Sequence, residues 1–539
     1  MLPQTGLPGT VSRLPVEIRR FPWIKRLAAD YAFEYERVAD FFAGNPAHPT
    51  AWRDAVHRAQ QHPRDRSAIV DVVQAQQRRR NAPSDAVAAT ARLRDPKSVA
   101  IVTGQQAGLF GGPLFTLLKA LTTIQLAERV AEDHGIPTVA VFWIDAEDHD
   151  WDEIRSCGML DSDLNFAELT IGTPPDAGHG PVARVRLDGS VQAALDEFAA
   201  LVQATEFTPS ILAGLRDAYQ PGSGMVDAFG KWLESILGPR GLVVFDSSDP
   251  TAKRLAAPIL AREIAHAGEA SRLAAAAGAE LVARGYHAQV TPQENQAALF
   301  HLDGLRAPIL TTDAARWAGR VRTHPEEFSP NVLLRPLVQD TLFPTAGYVA
   351  GPNELGYLAQ LRGVYEAFGV PMPLMYQRAS ATIVDSNAMR FLARHDLRLE
   401  SLRPQDEGTL NQLLEAQIPP AVAMSMDEAV RAVSERMETL ARTVVPLDPT
   451  LEGAARSAAG RMQDDLKKLH AKIVQAMKRK DETVRRQFKS AQAQAFPGGH
   501  PQERALGFVY FLNKYGTDLV DRLIDGLPLD QGMHWVMTI

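Results

Sequence analysis

A lone cysteine, Cys157, stands among 539 residues, so no intrachain disulfide can form and no zinc site of several thiolates can be built. Such usage fits a reducing, intracellular setting. Long apolar runs are missing too. No run approaches the roughly 18 residues needed to cross a bilayer, and the opening stretch MLPQTGLPGTVSRLPVEIRRFPWIK has no apolar h-region. The expectation is a soluble cytoplasmic protein without a membrane partner. A basic surplus is also absent. With 57 Lys plus Arg against 64 Asp plus Glu, the net charge is −7, which argues against nucleic acid as a partner.

What is present is enough chain for two to four domains of about 100 to 200 residues each. Residues 1 to about 95 read as helical, with helices expected over Trp23–Ala43 and Thr50–Gln61. From Ser98 the pattern changes. SVAIVTG (98–104) is a buried-type strand, a glycine-rich turn follows, PLFTLLKALTTIQLAERVAEDH (113–134) is an apolar helix, and PTVAVFWID (137–145) is the next strand. This succession is the right-handed β-α-β unit of a doubly wound parallel sheet. GLVVFDSSDPTAKRLAAPIL (241–260) and YVAGPNELGYLAQLRGVYEAFGVPMPLMY (348–376) repeat the strand, turn and helix order, while 155–190 and 287–312 read as insertions richer in turns. Beyond about Asp385, Met426, Val430, Val433, Met437, Leu440 and Val444 step by 4, 3, 4, 3 and 4, a heptad seam. PLDPTLEG (446–453) interrupts it. A second helix then runs to about Ala495 with Met462, Leu466, Leu469, Ile473, Met477, Val484 and Phe488, making an antiparallel hairpin with more apolar seam than it can cover itself. A homodimer is expected, and HPQERALGFVYFLNKYGTDLVDRLIDGL (500–527) is expected to dock on the core.

Chemistry-bearing residues concentrate at strand ends. In TGQQAGLFGGP (103–113), Gly104, Gly108, Gly111 and Gly112 allow close backbone approach to an anion, and the following helix start favours a phosphate or carboxylate. The same residues also suit a tight turn. Gln105 and Gln106 place adjacent amides at the sheet edge where α/β folds bind ligands. The next strand ends in DAEDHDWDE (145–153), six carboxylates and His149 within nine residues, a cluster that needs a cation, an amine or a proton for relief. Glu147, Asp148, His149 and Asp150 could hold Mg²⁺, bind an ammonium group, or use His149 as a base. Arg335 in VLLRPLVQD and Asn353 and Glu354 in GPNELGY are candidates for carboxylate, amide or hydroxyl recognition. Asn353 serves equally as a helix cap. Lys467, Lys468, Lys472, Lys478, Arg479, Lys480, Arg485 and Arg486 are interspersed with acids and read as a solvated helix face.

VTGQQAGLFGGPLFTLLKA, VFWIDAEDHDWDEI, NVLLRPLVQDTLFPTAGYVAGPNELGYLAQL and HPQERALGFVYFLNKYG, in that order, resemble the bacillithiol-biosynthesis cysteine-adding enzymes, also called cysteine ligases, over nearly the whole chain. The resemblance implies a Rossmann-like α/β core with connecting-peptide insertions, an α-helical coiled-coil domain that supports a homodimer, and an adenine nucleotide (ATP or ADP) site associated with the coiled coil. It also implies addition of L-cysteine to glucosaminyl-malate as the last step of bacillithiol synthesis. The domains expected are 1–97 as a helical segment of the core, 98–385 as the Rossmann-like core, 386–499 as the coiled coil and 500–539 returning to the core. Under this reading Glu147, Asp148, His149 and Asp150 are the catalytic candidates. Gly104, Gln105, Gln106, Arg335, Asn353 and Glu354 bind substrate, with Gly104–Gln106 and Arg335 suiting the malyl carboxylates. Joining an amine to a free carboxylate in water is uphill, so ATP-dependent activation with Mg²⁺ is expected. The chain lacks both the Walker A lysine and a His-x-Gly-His adenylating motif, and its nucleotide-binding residues are unassigned. A nucleotidyl transferase and a nucleotide-sensing coiled-coil scaffold are the alternative readings.

Overall fold

The structure is a computed structural model that describes residues 12–175, 177–178, 180–403, 408–416, 419–480 and 482–539. The chain forms two compact units, one from Pro3–Ile383 with His500–Ile539 and one from Val384–Gly499.

The first unit is built on a five-stranded, all-parallel sheet. Its strands are β1 (Val99–Gln105), β2 (Thr138–Ile144), β3 (Val243–Asp246), β4 (Thr345–Ala350) and β5 (Leu374–Gln377). They lie in the order β5-β4-β1-β2-β3, so the winding direction reverses between β1 and β4. The doubly wound, Rossmann-like core read from the sequence is the observed fold. Successive residues of β1 and β2 serve opposite faces: Val99, Ile101, Ala140 and Phe142 enter one core, and Ala100, Val102, Val139 and Val141 the other. Burial on both faces is why these strands read as continuous apolar runs rather than alternating ones.

Helix α1 (Leu114–His134) covers the first face and ends on Gly135, whose φ of 62° supplies the left-handed cap. Helices α2 (Pro250–Ala265) and α3 (Arg335–Leu342) cover the second. Asp249 caps α2 by accepting from Thr251 N at 2.8 Å and Ala252 N at 3.3 Å. The turn-rich insertions are a hairpin, Ser156–Leu160 with Phe166–Thr170, and an antiparallel three-stranded sheet, Gln296–Asp303, Leu305–Leu310 and Phe328–Pro330.

Two local expectations need correction. The N-terminal region is not wholly helical, because Ser12–Glu17 is a strand pairing antiparallel with Met533–Thr538, which in turn pairs parallel with Ser380–Ile383. A partner more than 500 residues away leaves no trace in local periodicity. The helix expected over Trp23–Ala43 is a shorter one, Arg26–Phe33, followed by two 3₁₀ turns.

In the second unit, α4 (Pro420–Thr443) and α5 (Thr450–Lys480) pack as the antiparallel hairpin, with Gln463 Nε2 donating to Ser434 Oγ at 3.1 Å. Helix α6 (Glu482–Ala495) follows and buries Val484 and Phe488, the latter edge-on to Phe391. Of the predicted seam, Met426, Val433, Met437, Leu466 and Ile473 are half-buried, whereas Val430, Leu440, Met462 and Leu469 remain exposed. Lys467 and Lys468 pair with Asp464 and Asp465 one turn back, and the side chains of Met477, Lys478, Arg479 and Lys480 lie outside the described residues, as does Asp481. Among the described residues no helix is long and apolar enough to cross a membrane.

Candidate active site

A cavity of about 590 Å³ opens at the carboxyl ends of the strands, at the point where the strand order reverses. Open α/β sheets bind ligands at such switch points because the loops from the two halves diverge there. Gly104, Gln105 and Gln106 line it from the end of β1, Asp145 from the end of β2, Gly351, Asn353 and Glu354 from the end of β4, and Arg378 from the end of β5. Pairing of Gln105 with Ile144 and of Ala350 with Gln377 brings these strand ends level.

The β1 and β2 loops touch directly. Gln106 Nε2 donates to Asp148 Oδ2 at 2.6 Å and to Glu153 Oε2 at 3.0 Å, so one amide holds two carboxylates together. Asp148 is the catalytic candidate that reaches this cavity. His149 stands exposed at the rim, its Nδ1 3.3 Å from Asp148 Oδ1 and 3.5 Å from Arg306 Nη1. Asp150 accepts from Glu153 N at 3.1 Å and so caps the short helix Trp151–Ile154. Glu147 points elsewhere, into a buried ion pair with Lys253.

In the glycine-rich loop the amides of the glycines turn to partners within the protein. Gly108 N donates to Gln106 O at 3.0 Å, Gly112 N to Leu109 O at 2.9 Å and Leu114 N to Leu506 O at 2.8 Å, leaving those amides satisfied. At Gly111, φ +98°, an added Cβ would run into the Phe508 ring, so this glycine serves a close approach to the C-terminal segment. Positive charge comes instead from Lys119, which sequence reasoning missed. Buried in α1, its Nζ donates to Gly104 O at 2.6 Å and Gln105 Oε1 at 3.2 Å and pairs with Glu354 Oε2 at 2.6 Å. Burial lowers its pKa, and Glu354 opposes that by favouring the charged form. A single charged residue over residues 114–127 of the helix was the available signal. Asn353 makes no side-chain cap bond; the Glu354 carboxylate accepts from Gly351 N, in the turn before the helix, at 2.5 Å.

Arg335, at the start of α3, forms an ion pair with Asp145. Arg306, Arg378 and Arg504 add further cationic charge to the walls and were also missed. Arg378 and Arg504 flank the Phe115 ring at 5.6 and 5.7 Å from its centroid. Burial lowers the pKa of Arg306, and its Nε is buried without a partner among the described residues. A cavity with this many guanidinium groups, one of them incompletely satisfied, fits phosphate or carboxylate oxygens. No three His, Cys, Asp or Glu side chains among the described residues converge as a metal cage. Asp148 and Glu153 are the paired carboxylates that would face a Mg²⁺ carried on phosphates, the usual mode for that ion.

The family model for the bacillithiol biosynthesis BshC N-terminal Rossmann-like domain matches residues 14–379, and that for the BshC C-terminal coiled-coil domain matches residues 381–539. The chain belongs to the BshC family. A relative from Salinibacter ruber named "Putative cysteine ligase BshC" is 34% identical, covering 97% of this chain and 98% of its own. Relatives of the same name from Symbiobacterium thermophilum and Chlorobaculum tepidum are 35% identical over 81% of this chain and 83% of theirs, and 32% over 85% and 86%. The BshC coiled-coil model extends through residues 500–539, yet in this structure that stretch completes the Rossmann-like unit and supplies Arg504 to its cavity.

Proposed function

We propose that this BshC-family chain is a carbon-nitrogen ligase that attaches L-cysteine to the amine of glucosaminyl-malate, the last step of bacillithiol synthesis, with ATP activating the cysteine carboxylate. The observation that carries this reading is the presence of both signs of charge in one cavity. The Asp148–Glu153 pair held by Gln106 suits an ammonium group and the removal of its proton, whereas Arg306, Arg378 and Arg504 suit the malyl carboxylates and phosphate oxygens. ATP supplies a phosphorylated or adenylated leaving group, and Mg²⁺ neutralises its phosphates. The chain's own residues orient the reactants, with Lys119 fixing Gln105 and Glu354. The protein works in the cytoplasm as a homodimer, a second copy covering the exposed flank of the coiled-coil seam.

The test is to incubate purified protein with glucosaminyl-malate, L-cysteine, Mg²⁺ and ATP and to follow thiol product by mass spectrometry. Product is expected from the wild type. A folded Gln106→Glu variant, which adds a third carboxylate to the Asp148–Glu153 pair, should lose about 100-fold or more in kcat/KM. Absence of product from the wild type overturns the reading, and pyrophosphate release without cysteine incorporation would identify an adenylyl transferase instead.

A further inference from the structure

Behind the Asp145–Arg335 pair lies a second, enclosed recess of about 20 Å³. Trp143, Asp145, Pro330 and Arg335 line both it and the main cavity, so these residues form the mouth between the two. Beyond the mouth, Ala256 and Leu260 of α2, Val338 and Leu342 of α3 and Phe328 make the wall apolar. Glu147, Ser247 and Lys253 add polar groups to the lining, and each is engaged by the protein itself. Lys253 is engaged by Glu147 and by Phe328 O at 2.6 Å, and Ser247 Oγ accepts from Ala146 N at 3.2 Å. The indole N–H of Trp143, a residue 4% exposed, is buried with no partner among the described residues.

We infer that this recess receives the side chain of the amino-acid substrate, with the Asp145–Arg335 pair at its mouth holding the α-ammonium and α-carboxylate. The inference rests on the ligase reading above and adds to it the determinant of amino-acid choice. An internal ion pair is complementary to a zwitterion: the ammonium meets Asp145 and the carboxylate meets Arg335, leaving Cα at the mouth and its substituent directed inward. The volume admits about one water-sized group beyond the Cβ. A hydroxyl, a methyl and a thiol all meet that limit. The apolar part of the wall disfavours the hydroxyl, which would lose its water contacts. A thiol and a methyl meet both the size and the polarity condition, while a side chain longer by one methylene does not fit.

The test measures binding of L-cysteine, L-2-aminobutyrate, L-serine and L-homocysteine to the full chain by calorimetry, and KM for cysteine in turnover. For the wild type, L-2-aminobutyrate should compete with cysteine within about tenfold, and homocysteine should bind about 10- to 200-fold more weakly. Ala256→Val, which fills the recess, should raise KM for cysteine about tenfold or more without changing KM for the amine substrate. Leu342→Ala, which enlarges it, should improve homocysteine relative to cysteine by about tenfold or more, and this ranking remains readable if Ala256→Val fails to fold. If the wild type binds cysteine but neither variant changes the ranking, the recess holds only water and the inference is overturned while the ligase reading stands. If the wild type binds none of the amino acids, the ligase reading itself fails.

Discussion

Arg378 and Glu503, 125 residues apart, meet as a buried two-pronged ion pair, with Nη1 2.9 Å from Oε2 and Nη2 2.6 Å from Oε1. The C-terminal segment therefore aims a guanidinium that lines the candidate active site. Ser380 Oγ donates to Glu503 Oε2 at 2.8 Å and lies 2.7 Å from His534 Nδ1, while Thr382 Oγ1 lies 2.8 Å from His534 Nε2. Two hydroxyls thus satisfy both ring nitrogens of a buried histidine.

This network predicts two windows of acid sensitivity. Burial lowers His534 to about 4, with Arg378 adding to the shift and Glu503 opposing it. Below its unfolded value near 6.5 the unfolded chain binds a proton that the folded chain refuses, so stability falls as pH drops from about 6.5 to about 4. Burial works against the Glu503 charge, but Arg378 overcomes it through charge and hydrogen bonds and holds the carboxyl at about 2. Its contribution is therefore present above about pH 4.5 and is lost between there and about pH 2. In thermal unfolding across this range, His534→Asn should flatten the upper window. Glu503→Gln should remove the lower one and cost about 3–5 kcal/mol at pH 7 by leaving Arg378 unpaired. Wild-type slopes in both variants would contradict the assignment.

The Lys119–Glu354 pair invites a double-mutant cycle. Glu354→Gln strands a buried ammonium and should cost about 3–5 kcal/mol, whereas Lys119→Met strands a carboxylate that water still reaches and should cost less. Removing both charges together should recover part of that loss, with a coupling energy of about 0.5–3 kcal/mol. Strict additivity of the single effects in urea midpoints would show that the two groups do not interact.

How far these features were legible depends on sequence distance. The parallel core was readable because the β1-α1-β2 and β4-to-β5 stretches are local, each inside about fifty residues, and the reach of Gln106 to the acidic loop follows from two adjacent strand ends. The structural share of the glycine-rich loop was not legible: Gly108, Gly112 and Leu114 donate within the turn and to Leu506, and Gly111 makes room for Phe508, contacts set partly by the far end of the chain. Glu503 is similarly unreadable in HPQERALG, where nothing local announces that its partner is Arg378. His149 drew attention by composition, yet a residue in an acidic run meets a ligand only where its loop points, which spacing does not encode.

Cys157 should be chemically silent. It sits on a strand of the Ser156–Leu160 hairpin, packed so closely on Gly507 that a Cβ there would strike its Sγ. Burial, then the nearby Glu168 charge, pushes its thiol up to about 12, so almost no thiolate exists at neutral pH. Folded protein should resist a disulfide-exchange thiol reagent until denatured, and Cys157→Ala should keep turnover within about twofold, since only the thiolate is a nucleophile. Rapid labelling of the native protein, or loss of turnover in a folded Cys157→Ala variant, would give this thiol a role its surroundings deny.

The coiled-coil hairpin makes the last prediction. Leu440, Met462 and Leu469 stay 46%, 47% and 49% exposed, and Met462 and Leu469 are one heptad apart on the same stripe of α5. An apolar stripe beside an internal seam is what a second copy would cover, and burying a Leu or Met side chain contributes about 1.5–3 kcal/mol. A twofold interface counts each residue twice, so Leu469→Glu should raise the dimer dissociation constant by about 10²- to 10⁴-fold from lost burial alone, before any cost of burying the new charge. Lys467→Glu, on the solvated face where Lys467 pairs with Asp464, is the matched control and should leave the assembly unchanged. Light scattering over a concentration series separates the outcomes: a wild-type dimer that Leu469→Glu converts to monomer supports the seam, and a wild-type monomer, or a dimer indifferent to Leu469→Glu, removes it.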